Sequence, residues 1–170
     1  MKRLFFVAIL LMSLGIISLQ SCKIYSFTGA NLSPAIKTYT VYYFPNRARL
    51  VNPTLSQTFT EKLREKLQRQ TSLNELSENG DIEFEGQITT YDVKPMSVQK
   101  EDMAALNRLT ISVSVKYTNH KEPDKNFERT FSAYEDFESS QSLSEVEDDL
   151  SLEIIEKLNE DIFNATIASW

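Results

Sequence analysis

One cysteine, one histidine, one tryptophan, four glycines and five prolines are all that a chain of 170 residues has of these types. A lone cysteine has no intrachain partner, so no disulfide can hold the fold. The sole histidine, His120, lies in Asn119-His120-Lys121-Glu122-Pro123, a turn by composition, and nothing beside it in sequence marks a nucleophile. No HExxH, paired CxxC or glycine-rich phosphate loop occurs, and His/Cys metal ligation is absent. Glycine and proline are too scarce for a disordered linker protein. Basic residues are also in deficit, 18 Lys and Arg against 24 Asp and Glu, a net charge of −6. That balance speaks against nucleic acid as a partner and against adhesion to anionic lipid through side-chain charge. No internal repeat is evident, and these absences leave no catalytic, cofactor or metal centre to assign.

The long hydrophobic run goes from Leu4 to Leu19, behind Lys2-Arg3. A membrane span needs about 20 apolar residues, so this shorter run reads as a secretory signal. It closes on Leu19-Gln20-Ser21-Cys22, which resembles the lipobox of bacterial lipoproteins, in which the cysteine is lipidated and becomes the first mature residue. Two or three acyl chains on Cys22 anchor stably where one would not. The expected organisation is a signal peptide over 1–21, a lipidated tether over 22–36 and a single domain over 37–170. Without the signal, 149 residues remain with a charge of −8, since Lys2 and Arg3 leave with it; that length can bury a core unaided. Lys23 stands where an inner-membrane retention signal would place aspartate, and no acidic run follows Cys22. The expected location is therefore the outer membrane, lipid-anchored, on the periplasmic side, with covalent lipid in place of any cofactor.

Thr38 to Phe44 is β-branched and aromatic, a strand ended by Pro45-Asn46. Asn52-Pro53 reads as a helix start, and Leu55, Phe59, Leu63 and Leu67 place one apolar stripe on a helix to about Gln70. Glu61 to Arg64 and Glu65 to Arg69 are spaced for ion pairs on its wet face. After a turn at Ser77–Asp81, Ile82, Phe84, Gly86 and Ile88 alternate with polar residues, and the strand runs on through Tyr91 and Val93 to Pro95. Pro95 to Ala105 reads as a hairpin end. Leu109 to Tyr117 alternates most cleanly, and Asn126 to about Phe137 completes a meander. Two overlapping capping boxes, Ser142 to Glu145 and Ser144 to Glu147, open a second helix whose apolar positions run from Val146 to Ile167. The acidic run from Glu145 to Asp149 lacks the spacing of a calcium loop and suits a first helical turn. The fold class is α+β, two helices packed on one four-stranded, mainly antiparallel sheet in the order β-α-β-β-β-α.

Two segments stand out. Phe44 to Pro53 carries Arg47 and Arg49 among apolar residues in an otherwise acidic protein, and Arg108 enters a strand behind Ala104-Ala105-Leu106-Asn107. Arginine's planar fork recognises phosphate or carboxylate. A solvated loop, and for Arg108 a cross-sheet pair with Glu85, are the alternatives.

Cys22-Lys23-Ile24-Tyr25-Ser26-Phe27-Thr28-Gly29, Tyr43-Phe44-Pro45-Asn46-Arg47-Ala48, Asn52-Pro53-Thr54-Leu55-Ser56-Gln57, Ala105-Leu106-Asn107-Arg108-Leu109-Thr110 and Glu160-Asp161-Ile162-Phe163-Asn164 together resemble the LptE family, across almost the whole mature chain. The resemblance implies a two-helix, four-strand fold and a non-enzymatic outer-membrane lipoprotein that sits inside and supports the LptD β-barrel, which delivers lipopolysaccharide to the outer leaflet. Lys23 replaces the glycine common in enterobacterial members, and Phe44 to Asn52 follows a different pattern from theirs. Basic strand-end residues of those members are implicated in lipopolysaccharide contact, which makes Arg47, Arg49 and Arg108 candidate contacts to lipopolysaccharide or to the barrel. The alternative is an accessory lipoprotein of another outer-membrane machine, such as a secretin, without lipopolysaccharide contact. A weaker third reading, a lipid-anchored hydrolase, requires His120.

Overall fold

A computed structural model describes residues 32–50, 52–96 and 105–168. The signal, Cys22, most of the tether, the centre of the hairpin end at 97–104 and Trp170 lie outside the described residues. The elements in chain order are β1 (Thr38–Val41), α1 (Leu55–Gln70), β2 (Asn74–Glu75), β3 (Ile82–Met96), β4 (Leu106–Asn119), β5 (Phe127–Glu138) and α2 (Leu143–Thr166). They form one five-stranded sheet in the spatial order β2-β1-β3-β4-β5. The expected four strands become five because β2 is two residues long, too short to show alternation. The sheet is mixed: β1 runs parallel to both β2 and β3, while β3, β4 and β5 are antiparallel. A helix between two strands returns the chain in the original direction, which makes the pairing parallel.

One sheet face and both helices share the core. Ile82, Phe84, Ile88, Leu109, Ile111, Val113, Val115 and Tyr117 from the sheet meet Leu55, Phe59, Leu63 and Leu67 of α1 and Ile154, Leu158 and Ile162 of α2, all buried. The inward positions on β3 change from even to odd numbers at an irregularity between Ile88 and Thr90, so that Tyr91 also turns inward. On the opposite face Lys116, Glu128, Thr130, Ser132 and Tyr134 are exposed.

The second helix start follows the sequence and the first is displaced: α1 begins at Leu55 with Thr54 in the cap position, so Pro53 lies in the turn before the helix and not at its first position. Asn52 is buried and its Oδ1 accepts the amides of Thr54 and Leu55 at 3.0 and 3.1 Å. The first of the two capping boxes forms: Ser142 and Glu145 satisfy each other's backbone amides. Glu145 is held below the usual carboxylate range by the Ser142 amide. On α1, Arg69 pairs with Glu65 as spaced, but Arg64 does not pair with Glu61. Its Nη2 donates to the Val41 carbonyl at 2.7 Å and its Nε lies 3.2 Å from Glu75, so the arginine fastens the helix to β1 and β2.

Candidate functional site

The chain between β1 and α1 is fixed at both ends and exposed in the middle. At its start Phe44 is fully buried, its ring 5.0 Å from Phe59, and its amide donates to Thr60 Oγ1. Gly86 makes room for that ring. A Cβ there would lie 2.6 Å from Phe44 and 2.0 Å from the Ser114 carbonyl oxygen. The Arg47 amide donates to the Ile88 carbonyl at 2.8 Å and the Ile88 amide to that of Pro45 at 3.0 Å, which prolongs the parallel pairing beyond β1. Asn46 Oδ1 accepts the Ala48 amide.

At the far end of the loop, Asn52 Nδ2 donates to Glu147 Oε1 at 3.0 Å, and the Tyr91 hydroxyl donates to the same oxygen at 2.5 Å. Burial, then the hydrogen bond to Glu147, push the Tyr91 hydroxyl up to about 12, so it remains a donor. One carboxylate thus joins the loop, β3 and α2. Between the two anchorages Arg47 and Arg49 are exposed and have no carboxylate partner among the described residues, and Leu50 beside them is 42% exposed. The loop therefore presents two guanidinium groups that have no carboxylate partner among the described residues, beside an apolar neighbour. That combination suits a phosphate or carboxylate carried on an amphiphilic molecule.

Arg108 is elsewhere. It pairs with Lys94 in the β3–β4 register, six residues beyond the Ile88 contact of Arg47, or about 20 Å at ~3.3 Å per residue. Its fork is engaged with Asp136, Nε to Oδ1 at 2.7 Å and Nη2 to Oδ2 at 2.8 Å, and its guanidinium lies 3.6 Å over the Tyr134 ring. That pair holds Asp136 below the usual carboxylate range. The Glu85 alternative for Arg108 is corrected: Glu85 takes Lys116 at 2.7 Å, its partner in the register, while Arg108 is several pairs further along.

His120 is half exposed, with Nε2 3.4 Å from Glu83 and its amide on the Asp81 carbonyl. Among the described residues no three His, Cys, Asp or Glu side chains come together as a metal site, and no helix is long and apolar enough to cross a membrane. In the sequence nothing marks Glu147 as the latch, because an acidic first helical turn already accounts for it. Tyr134 and Asp136 carry no motif of their own; the signal for them is the turn at 119–125, which sets Thr110 opposite Tyr134 and Arg108 opposite Asp136.

The arrangement of helices on a sheet recurs in solved structures of low sequence identity. The hypothetical protein CT253 from Chlamydia trachomatis matches with 11% identity and a TM-score of 0.53, over 79% of this chain and 100% of that one. Protein XCC0632 from Xanthomonas campestris matches with 11% identity and a TM-score of 0.50, over 79% and 88% of the two chains. A minor lipoprotein from Acinetobacter baumannii gives 13% identity and a TM-score of 0.48 over 75% and 89%. No curated protein matches the sequence. The family model described as LptE, lipopolysaccharide-assembly, matches residues 36–166, from the residues before β1 to the end of α2, and the chain belongs to that family.

Proposed function

We propose that this chain is an outer-membrane lipoprotein, held by acyl chains on Cys22 at the periplasmic side, that plugs and supports the LptD β-barrel during lipopolysaccharide transport and insertion into the outer leaflet. The observation that carries the reading is membership of the lipopolysaccharide-assembly family over residues 36–166. The lipobox at Leu19–Cys22 supports the anchor. The role is structural and positioning; it needs no cofactor and no catalytic residue. A body with two helices closed on one sheet face and a polar second face is chemically suited to a polar barrel lumen.

Within this role Arg47 and Arg49 are the contacts for lipopolysaccharide phosphate or for barrel carboxylates, because they are exposed, without an ion-pair partner among the described residues, on a loop held at Ile88 and Glu147. Arg108 contributes as a unit with Tyr134 and Asp136, at a second place on the surface. The test is affinity purification of the lipidated protein from detergent-solubilised outer membranes, with every stoichiometric companion identified by mass spectrometry. LptD at near-equal amount is the expected result; a secretin at that amount would favour the alternative machine. Arg47→Ala with Arg49→Ala should weaken photocrosslinking to lipopolysaccharide by about tenfold, the loss of two solvent-exposed ion contacts of somewhat under ~1 kcal/mol each. Unchanged crosslinking in that variant removes the loop from the glycolipid path.

A further inference from the structure

The two edges of the sheet are built differently. At one, β2 is two residues long. At the other, β5 is twelve residues long and pairs with β4 in unbroken register from Tyr117 opposite Phe127 to Leu106 opposite Glu138, so no bulge turns it aside. It contains no proline and no lysine. Its single cation, Arg129, lies over the rings of Phe127 and Phe131 at 5.4 and 4.4 Å. Shortness, proline, lysine and bulges are the usual means of keeping a sheet edge from pairing. β5 has none of these four; its protection is limited to charge, and the two charges on its core-side face, Arg129 and Glu135, are engaged by the Phe127 and Phe131 rings and by Lys157. Among the described residues no strand occupies its outer side, so every other residue presents an unpaired amide and carbonyl there.

Space and charge are arranged along the same edge. An open cleft of about 510 Å³ lies against the consecutive residues Ser132–Asp136, with Lys157 and Asp161 of α2 as its other wall. Neighbouring residues in a strand point to opposite faces, so a cleft touching five in a row follows the main chain. An adjoining cleft adds Glu153 and Glu156 of α2. Lys157 is engaged by Glu135. Glu153, Glu156 and Asp161 have no ion-pair partner among the described residues, which leaves an acidic rim beside the free edge.

We propose that the outer edge of β5 receives an extended segment of the partner protein as a sixth strand, with lysine or arginine side chains of that segment facing Glu153, Glu156 and Asp161. Strand addition draws affinity from main-chain hydrogen bonds and specificity from alternate side chains. The inference rests on the proposed function in taking a β-barrel protein as the partner. A closed barrel wall has no unpaired strand to offer. The segment therefore belongs to a terminal stretch or a long loop outside the hydrogen-bonded wall.

Hydrogen exchange read by mass spectrometry tests it, on the full lipidated protein alone in detergent and in the complex recovered from outer membranes. Peptides covering 127–138 should exchange readily at the outward amides in the free protein and about tenfold more slowly in the complex. Glu153→Lys with Asp161→Lys, both exposed on α2, should lower recovery of the partner while leaving the exchange pattern of the free protein unchanged. Equal exchange of β5 in both states, with a barrel present, overturns the proposal and leaves the assembly role standing. Slow exchange already in the free protein also overturns it and assigns the edge to the chain's own segment or to a second copy. A preparation with no barrel protein overturns the assembly role and this inference together.

Discussion

Asn159 lies on α2 with 2% of its surface exposed, and neither its Oδ1 nor its Nδ2 has a hydrogen-bond partner among the described residues. It lines a cleft of about 270 Å³ between the helices, beside Lys66, whose ammonium pairs with Glu160 and sits over the Phe163 ring. An unpaired buried amide costs about 1–3 kcal/mol, and the adjacent cleft has room for the extra volume of a leucine. Asn159→Leu should therefore raise the free energy of unfolding by about 1 kcal/mol, read as a shift of the urea midpoint at constant slope. A lower midpoint would mean that the amide is satisfied in solution. The sequence does not reveal this residue, because helical periodicity marks Ile155, Leu158 and Ile162 as inward and a polar residue between two of them passes as part of the wet face. Arg47 and Arg49, in contrast, are legible as candidates by being cations in a loop of an acidic chain.

At the scale of elements, legibility followed the strength of the local signal. β4 alternates over most of its length, and the alternation marks it to within a few residues of its ends; on β3 the apolar Ile88 and Tyr91 differ in parity, which is the trace of its irregularity in the sequence. Long-range facts were not legible. The direction of β1 depends on where α1 returns the chain, and β2 exists because the Asn74 and Leu76 amides reach the Lys37 and Tyr39 carbonyls, contacts that two exposed residues cannot announce. Where two overlapping capping boxes competed, position decided. Ser142 caps the helix, and Glu147, the acid of the second box, is drawn to Asn52 and Tyr91. Ser142→Ala should cost about 1 kcal/mol of stability, and Ser144→Ala much less, measured by chemical denaturation of both variants. Equal losses would mean that the two boxes interchange in solution.

The molecule as a whole is fastened at two places along β3. Asp81, just before the strand, accepts the amides of Lys37 and Thr38 at 2.8 and 3.1 Å and the Lys121 ammonium at 3.0 Å, so one carboxylate ties the entry to β1 and the β4–β5 turn together. These bonds, the Lys37 amide foremost, lower its carboxyl to about 2. A depressed folded-state value places its contribution in full above the unfolded value near ~4, and it is lost as pH falls from there toward about 2. Asp81→Asn should thus flatten the acid limb of the stability curve in that window while lowering stability at neutral pH. Ten residues along, about 30 Å at ~3.3 Å per residue, Glu147 fastens the arginine-bearing loop to β3 and α2. Removing its side chain leaves Asn52 Nδ2 and the Tyr91 hydroxyl without their acceptor, and Glu147→Ala should cost about 2 kcal/mol, the worth of hydrogen bonds to a charged group. The two fastenings share no residue and are far apart, so at neutral pH the double variant should lose the sum of the single losses within about 0.5 kcal/mol. A larger deviation, measured by denaturation of all four proteins, would mean that β3 carries strain from one fastening to the other, and that the arginine loop is set by the whole sheet and not by its own two anchorages.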